Sequence, residues 1–294
     1  MSTSTSIATT EPRFIDYGPG VGAALSFAVA DVLSKIVFAS GMDVLSLITL
    51  RGVVAAGIFW CWLGASPPRV PHSPRARLIS LGLGVLFAAN VFGLLLAIQL
   101  MPLSIAILAY FVYPLLTGIT GAVLGIERLS LRSLAVAVAA FCGLALMLHA
   151  QPGVVQPIGL IAAFGAAVAR VITLLVTRAK LGGTEARLTT WYSLLAAAIV
   201  FVAASLLNRS FNPPLTDAGW IAFLGMGVTT TLSTLWVFVS TARVGAFRTA
   251  LVMNLEPILS SMFSVALLGE MVTGLQMVGA TVMVVSLCMF QFRR

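Results

Sequence analysis

Two segments of this chain share one pattern, Pro114–Glu127 (PLLTGITGAVLGIE) and Pro257–Glu270 (PILSSMFSVALLGE). In each segment a proline stands thirteen residues before a glutamate, and the two copies are 143 residues apart. Because small apolar residues match easily by chance, this pair of prolines and glutamates carries the argument. The chain therefore contains an internal repeat. Further matches at this offset are Leu81–Val85 (LGLGV) with Leu224–Val228 (LGMGV), Gly22–Ala24 with Gly165–Ala167, and Lys35 with Arg178.

The composition predicts a chain that lies in a lipid bilayer. Of its 294 residues 60% are hydrophobic and 9% are charged, and the mean hydropathy is +1.07. A soluble domain has about 25% charged residues, so this chain could not cover a water-facing surface. A spanning helix needs roughly 20 apolar residues. The apolar runs predict ten spans: Gly18–Ala39, Val44–Leu63, Leu78–Leu100, Leu103–Leu124, Leu131–Leu148, Pro157–Arg178, Arg187–Leu207, Ala218–Thr241, Ala246–Leu268 and Thr273–Phe290.

The basic residues in the loops, in the tails and at the adjoining ends of the spans gather on one side of the membrane. The tails and the even-numbered loops, with the span ends that border them, hold thirteen, whereas the loops on the other side hold only Arg209. Basic loops face the cytoplasm, so both termini are predicted to be cytoplasmic. The thirteen are Arg13, Arg69, Arg75, Arg77, Arg128, Arg132, Arg178, Lys180, Arg187, Arg243, Arg248, Arg293 and Arg294.

Five spans per repeat is an odd number, so the second repeat must enter the membrane from the opposite face. We predict an all-α membrane protein of ten transmembrane helices in two inverted five-helix repeats around a central cavity. Residues 1–17 form a cytoplasmic tail, 18–148 the first repeat, and 157–294 the second repeat with a short cytoplasmic C-terminal tail. Many secondary transporters are built in this way and work by alternating access.

The motifs resemble those of a known family. Lys35 ends the first span, Arg51 lies in the second, and Asn254–Pro257 (NLEP) with Leu267–Thr273 (LLGEMVT) is similar to the second-repeat signature of the drug/metabolite transporter superfamily. Within it, the ten-helix EamA-type exporters are the nearest match. The resemblance implies export of small metabolites across a bacterial inner membrane, with amino-acid exporters (YddG-like) as the preferred branch.

Five ionisable residues lie inside predicted spans, where charges are costly and mark function by default. Asp31 and Arg51 lie at similar depth on consecutive helices, and Lys35 follows Asp31 at i+4. These three form either a structural charge cluster, which we favour, or a gate. Arg170 and Glu256 also lie at similar depth. They either bind the two charged groups of a zwitterion or, as we favour, pair with each other.

Polar and aromatic residues complete a candidate substrate site. Tyr110 and Tyr113 share a helix face, and Asn90 and Trp236 lie within spans three and eight. Asn254 precedes Glu256. Two prolines free a backbone carbonyl one turn earlier and mark possible hinges. The full set of substrate candidates is Asn90, Tyr110, Tyr113, Arg170, Trp236, Asn254 and Glu256, with Pro114 and Pro257 as the helix breaks.

The alternatives are an exporter of another small metabolite or a drug, a channel, and a membrane-embedded enzyme. The two histidines, His72 and His149, have no metal-ligand spacing, and no GxxxxGK[ST] motif for ATP is present. We therefore expect no catalytic residues, metal or cofactor. The expected partners are a small molecule, an amino acid above all, and the lipid bilayer, with no nucleic acid; the chain is a monomer or a homodimer. Three cysteines in apolar spans are expected to be buried.

The predicted topology is testable by labelling. In a background without Cys61, Cys142 and Cys288, single cysteines at Ser73 and Ser210 should react with an impermeant thiol reagent from opposite faces. Reaction of both from one face would contradict the ten-span topology.

Overall fold

The fold is described from a computed structural model, over residues 14–68, 70–148, 156–209, 211–269 and 271–291. This part of the chain forms helices and no strand. Its α-helices are α1 (Gly18–Ala39), α2 (Val44–Ala65), α3 (Pro74–Leu100), α4 (Leu103–Tyr110), α5 (Tyr113–Val123), α6 (Leu131–Leu148), α7 (Pro157–Val176), α8 (Ala186–Asn208), α9 (Asp217–Val244), α10 (Ala246–Val252), α11 (Leu255–Leu268) and α12 (Gly274–Gln291). A 3₁₀ turn, Phe14–Tyr17, precedes α1, and a π-helical turn, Thr177–Leu181, extends α7.

Over these residues nine helical segments are long and apolar enough to cross a membrane, and a shorter apolar helix, Gly274–Phe290, adds the tenth span. Helices α4 and α5 together make one span, and so do α10 and α11. The all-α fold of ten spans is therefore confirmed.

The fourth and ninth spans are not continuous helices, although the apolar runs predicted them as such. Each divides just before its proline, at Phe111–Val112 and at Met253–Asn254. A proline has no N–H to donate four residues back, and its ring crowds that carbonyl. The carbonyls of Tyr110 and Met253 thereby lose their ordinary helical partner.

One boundary shows how a cap extends a span beyond its apolar run. Helix α3 begins at Pro74, four residues before the predicted Leu78. The Ser73 hydroxyl oxygen accepts from the Ala76 amide at 3.2 Å, and proline suits the first helical position.

The two halves correspond helix by helix at the offset of the sequence repeat. Adding 143 to the bounds of α6, 131 and 148, gives 274 and 291, the bounds of α12. The packing is exchanged in the same way: α1 lies along α9 as α7 lies along α3, and α1 meets α11 as α7 meets α5. With five spans in each half, this exchange is the pseudo-twofold symmetry of inverted repeats about an axis in the membrane plane.

Glycines allow the closest helix contacts. A Cβ on Gly84 of α3 would collide with the Ser193 carbonyl of α8, and Gly143 of α6 and Gly279 of α12 meet backbone to backbone. Small-residue contacts of this kind drive helix association in lipid.

The three cysteines are free and exposed on the outside of the bundle, so the expectation that they are buried was wrong.

A matched pair of glycines on α3 tests this packing. Gly82 has no neighbour within 4 Å of a built Cβ, whereas Gly84 meets α8. Gly84→Ala should lower stability by about 1–3 kcal/mol, as overpacking does, and Gly82→Ala should not. Thermal unfolding of the purified variants in detergent measures both, and equal melting temperatures would contradict the contact.

Candidate functional site

The two broken spans bring candidate residues to the middle of the bundle. Tyr110 and Tyr113 flank the break between α4 and α5, and Asn254 and Glu256 follow the break between α10 and α11. For orientation, the membrane face that carries Phe14 and residue 291 is called the terminus face, and the other is called the far face.

The aromatic residues at the first break form one cluster. The ring centroids of Tyr110 and Tyr113 are 5.3 Å apart, and Phe111 packs against both rings. The Tyr110 hydroxyl lies near the Asn90 side chain. Asn90 Nδ2 donates to the Ala166 carbonyl of α7 at 2.7 Å, so Asn90 joins α3 to α7 beside this cluster.

Arg170 projects from α7 against this cluster. Its side chain is buried, and its guanidinium carbon lies 5.9 Å from the Tyr113 ring centroid. Its Nε–H has no hydrogen-bond partner among the described residues. A buried charged donor without an acceptor costs free energy. The unpartnered Nε–H of Arg170 is therefore an exception to the rule that buried polar groups are hydrogen-bonded.

Glu256, in the first turn of α11, interacts electrostatically with Arg170 and with Asp31. Within the described part of the chain, however, no nitrogen of Arg170 comes within 4.0 Å of a Glu256 carboxylate oxygen. Arg170 and Glu256 therefore interact electrostatically without forming a direct ion pair.

Asp31 belongs to the same network, on the far-face side of Glu256. Its carboxylate lies near Ser260, one turn after Glu256 on α11, and it interacts electrostatically with Arg51 and Lys35. Lys35 Nζ donates to Ser264 Oγ at 3.2 Å. Asp31 is solvent-exposed, although its electrostatic partners lie on α1 and α2. Sequence reasoning missed Ser260 and Ser264, because serines are too common in spans to stand out.

Trp236 and Asn254 are the two remaining substrate candidates. The Trp236 indole packs on the backbone of Gly22, where a Cβ would come within 2.7 Å of the ring. Asn254 is buried at the start of α11. The structure thus brings Asn90, Tyr110, Tyr113, Arg170, Glu256 and Asp31 into one connected cluster, with Pro114 and Pro257 at its two helix breaks.

The interior is packed toward the terminus face and open toward the far face. Residues on the far-face side are accessible while their counterparts 143 positions away are buried. Asp31 is exposed, whereas its counterpart Leu174 is 1% exposed. Ser260 and Ile107 are partly exposed, whereas their respective counterparts, Thr117 and Ala250, are each 0% exposed.

Helix packing shows the same asymmetry. Helix α5 lies along α10 on the terminus-face side, where the Phe247 ring packs closely on Gly118. The symmetry-related pair, α11 and α4, makes at most marginal contact over the residues described. The interior is therefore packed less closely toward the far face than toward the terminus face.

The histidine in the described chain stands apart from this site. His72, in the loop before α3, is buried and bonded through Nε2 to the Thr189 hydroxyl at 3.1 Å. Burial lowers the pKa of His72, so its ring is neutral at pH 7. His149 lies outside the described residues. No group of three His, Cys, Asp or Glu side chains suitable for a metal occurs within the described ranges.

Comparisons with known proteins agree with this architecture. The fold and the charged interior are those of a membrane transporter built from two repeats. The sequence pattern of the EamA-like transporter family matches twice, over residues 19–149 and 157–292. The chain therefore belongs to the EamA-like transporter family, within the drug/metabolite transporter superfamily.

One solved structure, described only as the crystal structure of a protein, is similar over 94% of this chain and 96% of its own, with a TM-score of 0.82 and 19% sequence identity. At this identity the likeness concerns the fold alone. No curated protein sequence matches the chain.

The absence of a direct ion pair between Arg170 and Glu256 predicts how a substitution of Glu256 changes the stability of the protein. Removing one partner of a buried ion pair costs about 3–5 kcal/mol. Because Glu256 makes no such pair, Glu256→Gln should cost less than about 1 kcal/mol in thermal or denaturant unfolding. A loss in the full ion-pair range would show that Arg170 and Glu256 pair structurally.

Proposed function

We propose that this protein is a secondary transporter that exports amino acids across the bacterial inner membrane by alternating access. The observation that carries the proposal is the buried Arg170 guanidinium with an unpartnered Nε–H, close to a carboxylate that is not ion-paired with it. Family membership supports transport of small metabolites.

A zwitterion would complete this arrangement. Its carboxylate would accept from Arg170, and its ammonium would donate to Glu256. Hydrogen bonds to charged groups contribute about 1.5–3 kcal/mol each, so each end of the substrate adds to recognition. The Tyr110 and Trp236 side chains, both partly exposed, offer aromatic surface for an apolar side chain. Asn90 and Asn254, both buried, supply further polar groups.

The unequal packing of the two faces supports alternating access. The α5–α10 contact closes the terminus face, while its symmetry mate, α4–α11, is open. In an inverted repeat the opposite state is reached when the halves exchange these conformations. The loops of the terminus face contain nearly all the basic residues outside the spans, which supports its cytoplasmic location. The arrangement described is then the outward-facing one.

Counterflow in proteoliposomes tests the substrate. Vesicles loaded with unlabelled phenylalanine should accumulate labelled phenylalanine. Phenethylamine, which has no carboxylate, and N-acetylphenylalanine, which has no ammonium, should not compete. Competition by either compound at the level of phenylalanine would contradict recognition of both charges.

The same assay tests Glu256. Glu256→Gln should fold and reduce counterflow by roughly tenfold to a hundredfold, the loss expected for one charged hydrogen bond. The matched control is Glu185→Gln, which removes a carboxylate that pairs with Arg187 beside the terminus-face loop; it should transport normally. Wild-type counterflow by folded Glu256→Gln would reduce Glu256 to a packing residue.

A further inference from the structure

The Glu127 carboxylate closes the terminus face by binding the start of α10. The Ala246 amide donates to Oε1 at 2.5 Å and the Phe247 amide donates to Oε2 at 2.9 Å. Both carboxylate oxygens are therefore used on the first two amides of one helix, where a negative charge is favoured.

Gly245 makes room for this carboxylate. Its φ is +100°, a conformation that favours glycine, and a Cβ there would collide with the Glu127 carboxylate. The seat of Glu127 is thus built from the backbone of residues 245–247.

Arg178 holds the carboxylate from a third element, the π-helical turn after α7. Its Nε lies 3.7 Å from Glu127 Oε1, and Nη1 donates to the Ala242 carbonyl at 2.6 Å. Glu127 follows α5 in the first repeat, whereas its partners all belong to the second. The contact therefore joins the two halves at the closed face.

Helix α10 connects this contact to the proposed substrate site. It has seven residues, about 10 Å of helix, and ends at the break that precedes Asn254 and Glu256. Its buried residues include Ala250 and Leu251, both 0% exposed. A seven-residue helix held at both ends moves as a unit, so a shift of the Glu256 turn displaces the seat of Glu127.

We propose that Glu127, with Gly245 and Arg178, is the latch of the terminus-face gate, and that α10 transmits substrate binding at Glu256 to the release of this latch. Glu127 acts as a positioning residue, through the backbone of α10, and does not touch substrate. The coupling to substrate rests on the function proposed above, whereas the latch itself is tested without any substrate.

Two cysteine probes report the two faces in a background without the native cysteines. Ala250→Cys lies in the closed interior, and Ser261→Cys is the repeat counterpart of Gly118, on the open side. Adding Glu127→Gln should raise labelling of the first probe from the terminus face by roughly tenfold. It should lower labelling of the second probe from the far face, because opening one side closes the other.

Two controls separate a latch from general damage. Gly245→Ala should reproduce the effect of Glu127→Gln, since it displaces the carboxylate. Gly269→Ala also places a side chain at a positive φ, +69°, in the milder left-handed helical region and with nothing near the added Cβ; it should change neither labelling rate. Unchanged labelling in folded Glu127→Gln, or a rise at both probes, would overturn the proposal. Failure of amino-acid counterflow with reciprocal labelling intact would contradict only the substrate.

Discussion

A proline in the middle of a membrane span cannot complete the hydrogen-bond ladder of a helix, and much of this structure depends on that constraint. In lipid an unpaired carbonyl has no water to accept from, so such a break is tolerated only inside the bundle. Pro114 and Pro257 therefore both lie in the interior. The breaks before them place Tyr110, Tyr113, Asn254 and Glu256 at one depth, and the second leaves α10 as a short, separately movable helix.

The two repeats share a backbone plan but contribute different chemistry. Arg170 and Glu256 come from the second repeat, and their counterparts in the first are Phe27 and Tyr113. At these two positions the second repeat thus supplies charge and the first supplies aromatic rings. In the proposed transport cycle the symmetry would govern the movement of the halves, whereas this difference in side chains would orient a small molecule with two charged groups.

The architecture could be predicted from the sequence because a bilayer restricts the composition and the periodicity of the spans, and both can be read from a single chain. The span number follows from the apolar runs, the equivalence of the prolines from the 143-residue offset, and the inversion from the odd number of spans in each repeat. Contacts between distant side chains were not predictable in this way. The absence of a direct Arg170–Glu256 pair and the approach of Asp31 to Ser260 depend on helix rotation by a few tens of degrees, which apolar periodicity does not specify in a span that is hydrophobic all round. Glu127 and Arg178 were visible as charges at repeat-equivalent positions, but their meeting at the start of α10 required the fold.

The pair α6 and α12 has a consequence for the surrounding lipid. Each has 18 residues, about 27 Å of helix, and their contact through Gly143 and Gly279 keeps them together. Helices α3 and α9, with 27 and 28 residues, are about 40 Å long. In a hydrocarbon layer of about 30 Å, α6 and α12 are therefore shorter than the layer, whereas α3 and α9 are longer. A short span is accommodated by local thinning of the bilayer, by flanking side chains that reach the interface or by association with another copy, at a cost of fractions of a kcal/mol per Å, so lipid chain length becomes a variable that bears on this protein.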